Sequence, residues 1–296
     1  MIVITTPTGD IGSRLLHLLL QDPHQEQLRV IVRDPAKLPD DVRGRVDIVT
    51  GSHGDAEVVG KAFAGADTVF WVVPPDSRTP SLEAAYSGFT RAATEAFTAY
   101  GVSHVVGVSA LGRGTPVAGQ AGLVTASLAM DDLIANTGVA YRALANPSFM
   151  DNLLRQVTSI RDHGVFTDTV DADRRAPFVA TRDIAAVAAG LLLDRSWTGA
   201  DEAPVLGPED LSATDLARIM SEVLGRPIRY EREPLDSLAA RLTSFGAGDA
   251  FAGGMVDMMR AKDEGLDAGV RRTPETSTPT TFRQWCEQVL APAVLA

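Results

Sequence analysis

Residues 1–20 read MIVITTPTGDIGSRLLHLLL, and this stretch decides the fold. Residues 2–4 form an apolar β-branched run typical of a strand that is buried on both faces. A turn containing Gly9 and Gly12 follows, and residues 15–20 then carry a helical apolar pattern. A strand, a glycine turn and a helix in this order predict a phosphate cradle. The first N–H groups of such a helix lack intrahelical partners, and its dipole favours an anion.

The turn departs from the usual dinucleotide-binding pattern at one position. A G-x-x-G-x-x-G spacing would require glycine at positions 6, 9 and 12, but Thr6 occupies the first. Gly9 and Gly12 keep the places where the backbone approaches phosphates or where the helix packs on the sheet. An ordinary strand–helix loop is the alternative interpretation. We assign the following residues to cofactor binding: Thr6, Thr8, Gly9, Asp10, Ile11 and Gly12.

The end of the second predicted strand, residues 28–32, indicates which cofactor the turn would hold. At this place an acidic residue suits a free ribose 2′-hydroxyl, whereas a cation suits a 2′-phosphate. The chain has Arg33, with Lys37 one helical turn further on. A guanidinium pairs well with phosphate, so the sequence predicts NADP(H) in preference to NAD(H). The alternative is a solvated arginine beside Asp34.

Composition excludes several classes of protein. The 296 residues carry a net charge of −11, which disfavours a nucleic-acid partner. The single cysteine, Cys286, excludes an intramolecular disulfide and a multi-cysteine zinc site. The first residues show no signal-peptide pattern, and no apolar stretch is long enough to span a bilayer. We therefore expect a cytoplasmic protein with no membrane association.

The order of predicted elements indicates an α/β fold with a doubly wound parallel sheet. Further strands are predicted at residues 46–49, 68–73, 102–108 and 139–144, with helices between them. The second half has a predicted strand at 176–179, helices at 182–193 and 212–224, and short strands near 204–206 and 227–230. It then has a helical region at 234–262, broken at 245–248 and 253–254, and a last helix at 282–290. We expect a Rossmann core at 1–150 and a smaller, mainly helical lobe at 151–296, some elements of which return to the core.

Several short motifs occur together in one order along nearly the whole chain. They are Thr8-Gly9-x-x-Gly12, Arg33-Asp34-Pro35, Val72-Val73-Pro74-Pro75, Val108-Ser109-Ala110-Leu111-Gly112, Pro147-x-Phe149-Met150-x-Asn152-Leu153, Pro177-Phe178-Val179-x-x-Arg182-Asp183-Ile184-Ala185, Val223-Leu224-Gly225-Arg226-Pro227-Ile228 and Thr281-Phe282-x-x-Trp285. Together they resemble the NmrA-like group of atypical short-chain dehydrogenases/reductases, including its NAD(P)H:quinone oxidoreductase-like members. Thr6 and Pro7 depart from the Gly and Ala common there, and Asn146 departs from the usual arginine.

The resemblance implies roles for further residues. Ser52, Val73, Pro74, Pro75, Pro147 and Phe149 would complete the cofactor site, and Met150, Asn152 and Arg182 would line the substrate pocket. Ser109 lies at a strand end where the superfamily places a substrate-orienting serine, so it is the candidate catalytic residue. A serine that caps a loop is the alternative.

The sequence lacks both a tyrosine–lysine acid–base dyad and the histidine spacing of a helical zinc site. The four tyrosines are followed, four residues on, by Thr90, His104, Ala145 and Pro234, so no Tyr-x-x-x-Lys dyad exists. The five histidines, at positions 17, 24, 53, 104 and 163, do not show the i, i+4 spacing of a helical zinc site. We therefore expect no resident metal.

Three functions fit these observations. The first is an NADPH-dependent oxidoreductase that passes hydride to a small electron-poor acceptor such as a quinone or carbonyl, which needs positioning more than an acid–base pair. The second is a non-catalytic NADP(H) sensor that acts through a protein partner. The third is an atypical ketoreductase, isomerase or cyclase that uses Asp151, Asn152 or Arg182. A homodimer is compatible with each.

Overall fold

The computed structural model describes residues 1–23 and 26–296, so His24 lies outside the described residues. A parallel sheet of seven strands organises the molecule, in the spatial order β10-β6-β5-β4-β1-β2-β3. Its strands are β1 (Ile2–Thr5), β2 (Leu28–Val32), β3 (Asp47–Thr50), β4 (Thr68–Trp71), β5 (His104–Ala110), β6 (Ala140–Asn146) and β10 (Ala200–Pro204). This confirms the expected α/β class.

Helices cover both faces of this sheet, because its central strands are apolar on both sides. One face packs against α1 (Asp10–Leu20) and α7 (Thr181–Leu193). The other packs against α3 (Ala56–Phe63), α4 (Phe89–Tyr100) and α5 (Leu123–Ala135). A short α2 (Asp40–Arg43) precedes β3, and a π-helical turn (Ala84–Gly88) leads into α4. The chain order reverses between β1 and β4, and open α/β sheets bind ligands at such a switch point.

The rest of the chain forms a second layer beyond the carboxyl edge of the sheet. It contains a small sheet of β7 (Ser148–Phe149), β9 (Ala176–Val179) and β11 (Asp210–Leu211), and a parallel pair, β8 (Val165–Asp168) with β12 (Arg229–Arg232). Its helices are α6 (Val157–His163), α8 (Ala213–Leu224), α9 (Leu235–Ser244), α10 (Asp249–Asp263), α11 (Phe282–Trp285) and α12 (Ala291–Leu295), with a 3₁₀ segment (Met150–Gln156) and a π-helical turn (Cys286–Leu290). We call this layer the lobe.

Some predictions about the second half were wrong in detail. The strand expected at 204–206 lies at Ala200–Pro204 and becomes the seventh strand of the main sheet, while α7 packs against α1. The break expected at Gly253 and Gly254 does not occur, because α10 runs unbroken through both. Gly122, at the start of α5, lets α10 approach closely: a Cβ on Gly122 would stand 2.0 Å from the Gly254 carbonyl oxygen. Strands β7, β8 and β11 were not predicted.

Candidate functional site

A cavity of about 500 Å³ lies at the switch point between β1 and β4. It separates the start of α1 from the segment that follows β6, and we call it the cleft. The cleft is lined by Thr6, Gly9, Asp10, Ile11, Gly12, Val72, Pro74, Phe149, Asp151, Asn152, Leu154, Arg155 and Thr181. Eight of the residues expected at the site from the sequence lie here: Thr6, Gly9, Asp10, Ile11, Gly12, Pro74, Phe149 and Asn152.

The backbone of the β1–α1 turn explains how threonine replaces the first glycine. Thr6 has φ +49°, a left-handed conformation that glycine adopts without strain and that other residues adopt at a cost of about 1 kcal/mol. The Thr6 carbonyl accepts a hydrogen bond from Gly9 N–H at 3.0 Å. A Cβ on Gly12 would stand 2.1 Å from that same oxygen. The turn therefore keeps its glycine-like path despite Thr6, and it requires a glycine at position 12.

The amino end of α1 offers backbone donors to the cleft. Gly9 precedes the helix and has no side chain to cap it, and the first intrahelical bond runs from Ser13 N–H to the Gly9 carbonyl at 2.9 Å. The N–H groups of Asp10, Ile11 and Gly12 therefore lack intrahelical partners at the wall of the cleft. With the helix dipole, they fit a pyrophosphate.

The opposite wall of the cleft is held by a carboxylate. Asp151 accepts hydrogen bonds from Thr181 N–H at 2.9 Å and from Thr181 Oγ1 at 2.8 Å, at the start of α7. Arg14 of α1 lies 3.8 Å from the same carboxylate. Because both oxygens of Asp151 have partners, this residue fixes the wall and is poorly placed to act as a base. Asp151 follows the Pro147–Met150 motif, which was the only sequence signal for it.

Arg33 and Lys37 lie on the neighbouring strand end, outside the cleft lining. Thr5 pairs with Ile31, so Arg33 stands beside the β1–α1 turn. Asp34 accepts a hydrogen bond from Ala36 N–H at 3.0 Å and caps a 3₁₀ turn. Within residues 1–23 and 26–296, no carboxylate forms an ion pair with Arg33 or Lys37. The two exposed cations are therefore available to an anionic group.

The backbone at the end of β4 is fixed from two sides. Val72 N–H donates to Thr5 Oγ1 at 3.0 Å, and the Val72 carbonyl lies 2.8 Å from Nε2 of the buried His53. Since a carbonyl only accepts, the proton of neutral His53 is on Nε2. Burial lowers the pKa of His53 to about 4; the hydrogen bond to Val72 opposes this shift, and the charge of Arg33 adds to it. His53 is therefore neutral at neutral pH and holds the cleft wall at Val72.

This buried histidine predicts a loss of stability in acid. The pKa is about 4 in the folded protein and about 6.5 in the unfolded chain. As pH falls from about 7 to 4, the unfolded chain binds the proton first, so stability falls by about 3 kcal/mol. Free energies of unfolding from urea titrations at several pH values should show this decrease. The variant His53→Gln should lack that part of it.

The control for this comparison is His163→Gln, which changes an exposed histidine. Its pH profile should match that of the unmodified protein. Equal acid sensitivity of the unmodified protein and His53→Gln would contradict the role of His53.

Ser109, the candidate catalytic residue, does not line the cleft. It shares a face of β5 with Val105 and lies under α5. Its hydroxyl donates to Asp131 of α5, and Tyr141 donates to the other oxygen of that carboxylate at 2.6 Å. Burial raises the pKa of Asp131 to about 7, although both hydrogen bonds act to lower it. Ser109 is thus part of a buried polar cluster inside the core.

Two residues expected in the substrate pocket also lie elsewhere. Met150 is 2% exposed and packs in the apolar core of the lobe. Arg182 donates to Thr280 Oγ1 at 2.9 Å and to Gln288, so it ties α7 to the C-terminal segment. The hydrophobic periodicity of the sequence indicated which faces of the helices and strands are buried or exposed. It did not indicate which other element each face contacts. The residues that line the cleft do not include Thr8, Ser52, Val73, Pro75 or Pro147.

Asn146, which departs from the resembled family, holds two strand ends together. Its Nδ2 donates to the carbonyls of Ser109 at 3.0 Å and Leu144 at 2.7 Å.

In the described part of the chain, no cluster of three or more His, Cys, Asp or Glu residues could hold a metal ion. Among the same residues, no helix is both long enough and apolar enough to cross a membrane.

The chain is similar to several known proteins. A family model described as NAD(P)H-binding matches residues 7–195. The chain is 29% identical to an NAD(P)H azoreductase of Xenophilus azovorans, over 97% of this chain and 96% of that one. It is 31% identical to a (4-alkanoyl-5-oxo-2,5-dihydrofuran-3-yl)methyl phosphate reductase of Streptomyces griseus, over 82% of this chain and 80% of that one.

The fold is shared with a solved reductase. The crystal structure of an NADPH-dependent quinone oxidoreductase from Escherichia coli, complexed with NADPH, matches with a TM-score of 0.74 and 23% identity. The match covers 100% of this chain and 99% of that one. At this identity the structural likeness establishes the fold.

Proposed function

Because the chain belongs to the NAD(P)H-binding family, we propose that it is a reductase that uses NADPH to reduce a small electron-poor acceptor, such as a quinone, an azo compound or a carbonyl. The names of its relatives, which are reductases, support the general class of NAD(P)H-dependent oxidoreductase. The preference for NADPH and the kind of acceptor are our proposal.

One observation carries the proposal: the cleft joins the uncapped amino end of α1 to a wall formed by the segment after β6. The N–H groups of Asp10, Ile11 and Gly12 would hold the pyrophosphate, and Arg33 with Lys37 would meet the 2′-phosphate. Phe149 and Pro74 would bound the nicotinamide end. When bound, the cofactor supplies the hydride; the residues of the chain bind it, orient it and exclude water.

The lining of the cleft favours acceptors that need no positioned side-chain acid. Of the two carboxylates in the lining, Asp151 is held by Thr181 and Asp10 stands at the start of α1, at the end of the cleft proposed for the phosphates. The buried Ser109–Asp131 pair does not reach the cleft. Quinones and azo compounds can take the hydride from the cofactor and the accompanying proton from solvent. Reduction of such acceptors is therefore favoured over carbonyl chemistry that depends on a tyrosine acid.

The test is NADPH oxidation, followed by absorbance, with a panel of a benzoquinone, an azo dye and an aldehyde. We expect turnover with the quinone and the azo dye and slower turnover with the aldehyde, and slower turnover still when NADH replaces NADPH. Tight NADPH binding without turnover of any acceptor would contradict the enzyme and favour a sensor.

A further inference from the structure

Two small adjoining cavities lie in the lobe. Their volumes are about 40 and 130 Å³, and both are lined by Arg174, Ala176, Lys262 and Asp267. We call them together the lobe cavity. Its smaller part has an apolar wall, to which Phe166 contributes.

The small sheet of the lobe separates this cavity from the cleft. Ser148 and Phe149 are successive residues of β7, and they pair with Phe178 and Val179 of β9. Successive residues of a strand point to opposite faces. Ser148 and Phe178 line the lobe cavity, whereas Phe149 lines the cleft. The lobe cavity is therefore distinct from the site proposed for the cofactor.

The larger part of the lobe cavity is positively charged, although the chain as a whole carries −11. Its charged lining consists of Arg174, Arg175, Lys262, Arg272, Asp210 and Asp267. Three of the cations have ion-pair partners, in the pairs Arg175–Asp215, Lys262–Asp267 and Arg272–Asp210. Arg174 has no ion pair with any residue in the described ranges. A surplus of positive charge favours an anionic ligand.

Two unpartnered groups define what the ligand must offer. The half-buried Arg174 guanidinium lies over Gly265, where a Cβ would stand 2.6 Å from Nη2. Asp267 is 7% exposed; Lys262 binds its Oδ2 at 2.5 Å, while Oδ1 has no hydrogen-bond partner among the described residues. A buried oxygen of this kind normally has a donor. One group calls for an anion and the other for a hydrogen-bond donor.

We propose that the lobe cavity binds a small organic acid that carries a hydroxyl or amino group. Its carboxylate pairs with the Arg174 guanidinium, for which a planar fork is well suited, and its hydroxyl or amino group donates to Asp267 Oδ1. A cavity of about 150 Å³ holds a benzene molecule, so the ligand has about six non-hydrogen atoms. The site lies in the lobe and needs no cofactor to form.

Calorimetric titration of the full chain, without cofactor, tests this with three probes of similar size: lactate, propanoate and 1,2-propanediol. Lactate has both groups, propanoate lacks the hydroxyl, and the diol lacks the carboxylate. We expect lactate to bind about tenfold more tightly than propanoate and at least tenfold more tightly than the diol. Equal binding of all three probes, or no binding of lactate, would overturn the proposal.

The variant Arg174→Gln tests whether lactate binds in the lobe cavity. Arg174→Gln should weaken lactate binding at least tenfold, since a charge-assisted pair is lost. Arg161→Gln is the matched control, because Arg161 is an exposed residue of α6 that pairs with Asp162. Unfolding temperatures of both variants establish that they are folded. Unchanged lactate binding by folded Arg174→Gln would overturn the proposal, whatever the cleft binds or reduces.

Discussion

Exchanging Arg33 for aspartate is expected to reverse the cofactor preference and to change the ratio of NADPH to NADH affinity by about a thousandfold. The exchange removes a charge-assisted pair with the 2′-phosphate and puts a carboxylate beside the ribose. An effect of about 4 kcal/mol in the ratio follows, which is close to three factors of ten. The carboxylate would repel the 2′-phosphate and accept a hydrogen bond from the free 2′-hydroxyl of NADH.

The surroundings of Arg33 make this effect large. Asp34 is engaged by Ala36 N–H, and none of the described residues forms an ion pair with Arg33. No carboxylate therefore competes with the 2′-phosphate for the guanidinium. The register of β1 with β2 keeps residue 33 close to the β1–α1 turn in the variant as well.

Calorimetry with NADPH and NADH measures the change in preference. Arg229→Asp is the matched control, because it makes the same change of net charge on an exposed residue of β12 in the lobe. A second readout is the titration of His53 by NMR, since the charge of Arg33 helps to lower the pKa of His53. An unchanged NADPH-to-NADH ratio in Arg33→Asp would refute the assignment.

The positions of the main strands could be predicted from the sequence because burial on both faces leaves continuous apolar runs. Residues 28–32 of the main sheet were predicted at the bounds that the structure shows. Strand β10 reads ADEAP and has no such run, since it lies at the edge of the sheet. Strand β10 forms because it pairs with β6, and no local sequence pattern predicts it.

The part of the candidate site that is formed by backbone groups could be predicted from the sequence. The β1–α1 turn depends on residues close together in sequence, so Gly9 and Gly12 indicated the cleft. Ser109 could not be placed in this way, because its role depends on which face of β5 meets Asp131 of α5. Asp151 was named as a candidate residue, but its contact with Thr181 could not be predicted, since Thr181 lies thirty residues further along the chain.

At Thr6 the sequence pattern underestimates the evidence for a phosphate-binding turn. A missing first glycine reads as weakened evidence for a phosphate turn, yet the backbone of Thr6 adopts the conformation that glycine would have. The strain of about 1 kcal/mol is held by the surrounding hydrogen bonds, including Gly9 N–H to the Thr6 carbonyl. The pattern therefore describes the conformation required at position 6 better than the residue type.

Gly12→Ala is expected to abolish measurable NADPH binding, with a loss of at least about a hundredfold in affinity. The new Cβ would stand 2.1 Å from the Thr6 carbonyl oxygen and 2.9 Å from its carbon, and both are backbone atoms that cannot rotate away. The turn must shift to make room, and overpacking of this kind costs about 1–3 kcal/mol in stability. Affinity falls further because the donors of residues 10–12 move with the turn.

Two measurements separate these effects. Urea titration reports the stability of the variant, and calorimetry with NADPH, at temperatures where the variant is folded, reports the affinity. Gly119→Ala is the matched control, because a Cβ on Gly119 would meet no atom within 4 Å, and it should change neither quantity. The Thr6 carbonyl also accepts from Gly9 N–H, so a shift at position 6 moves the residue that precedes α1. NADPH binding by folded Gly12→Ala at nearly the unmodified affinity would mean that the phosphates are not held at the start of α1.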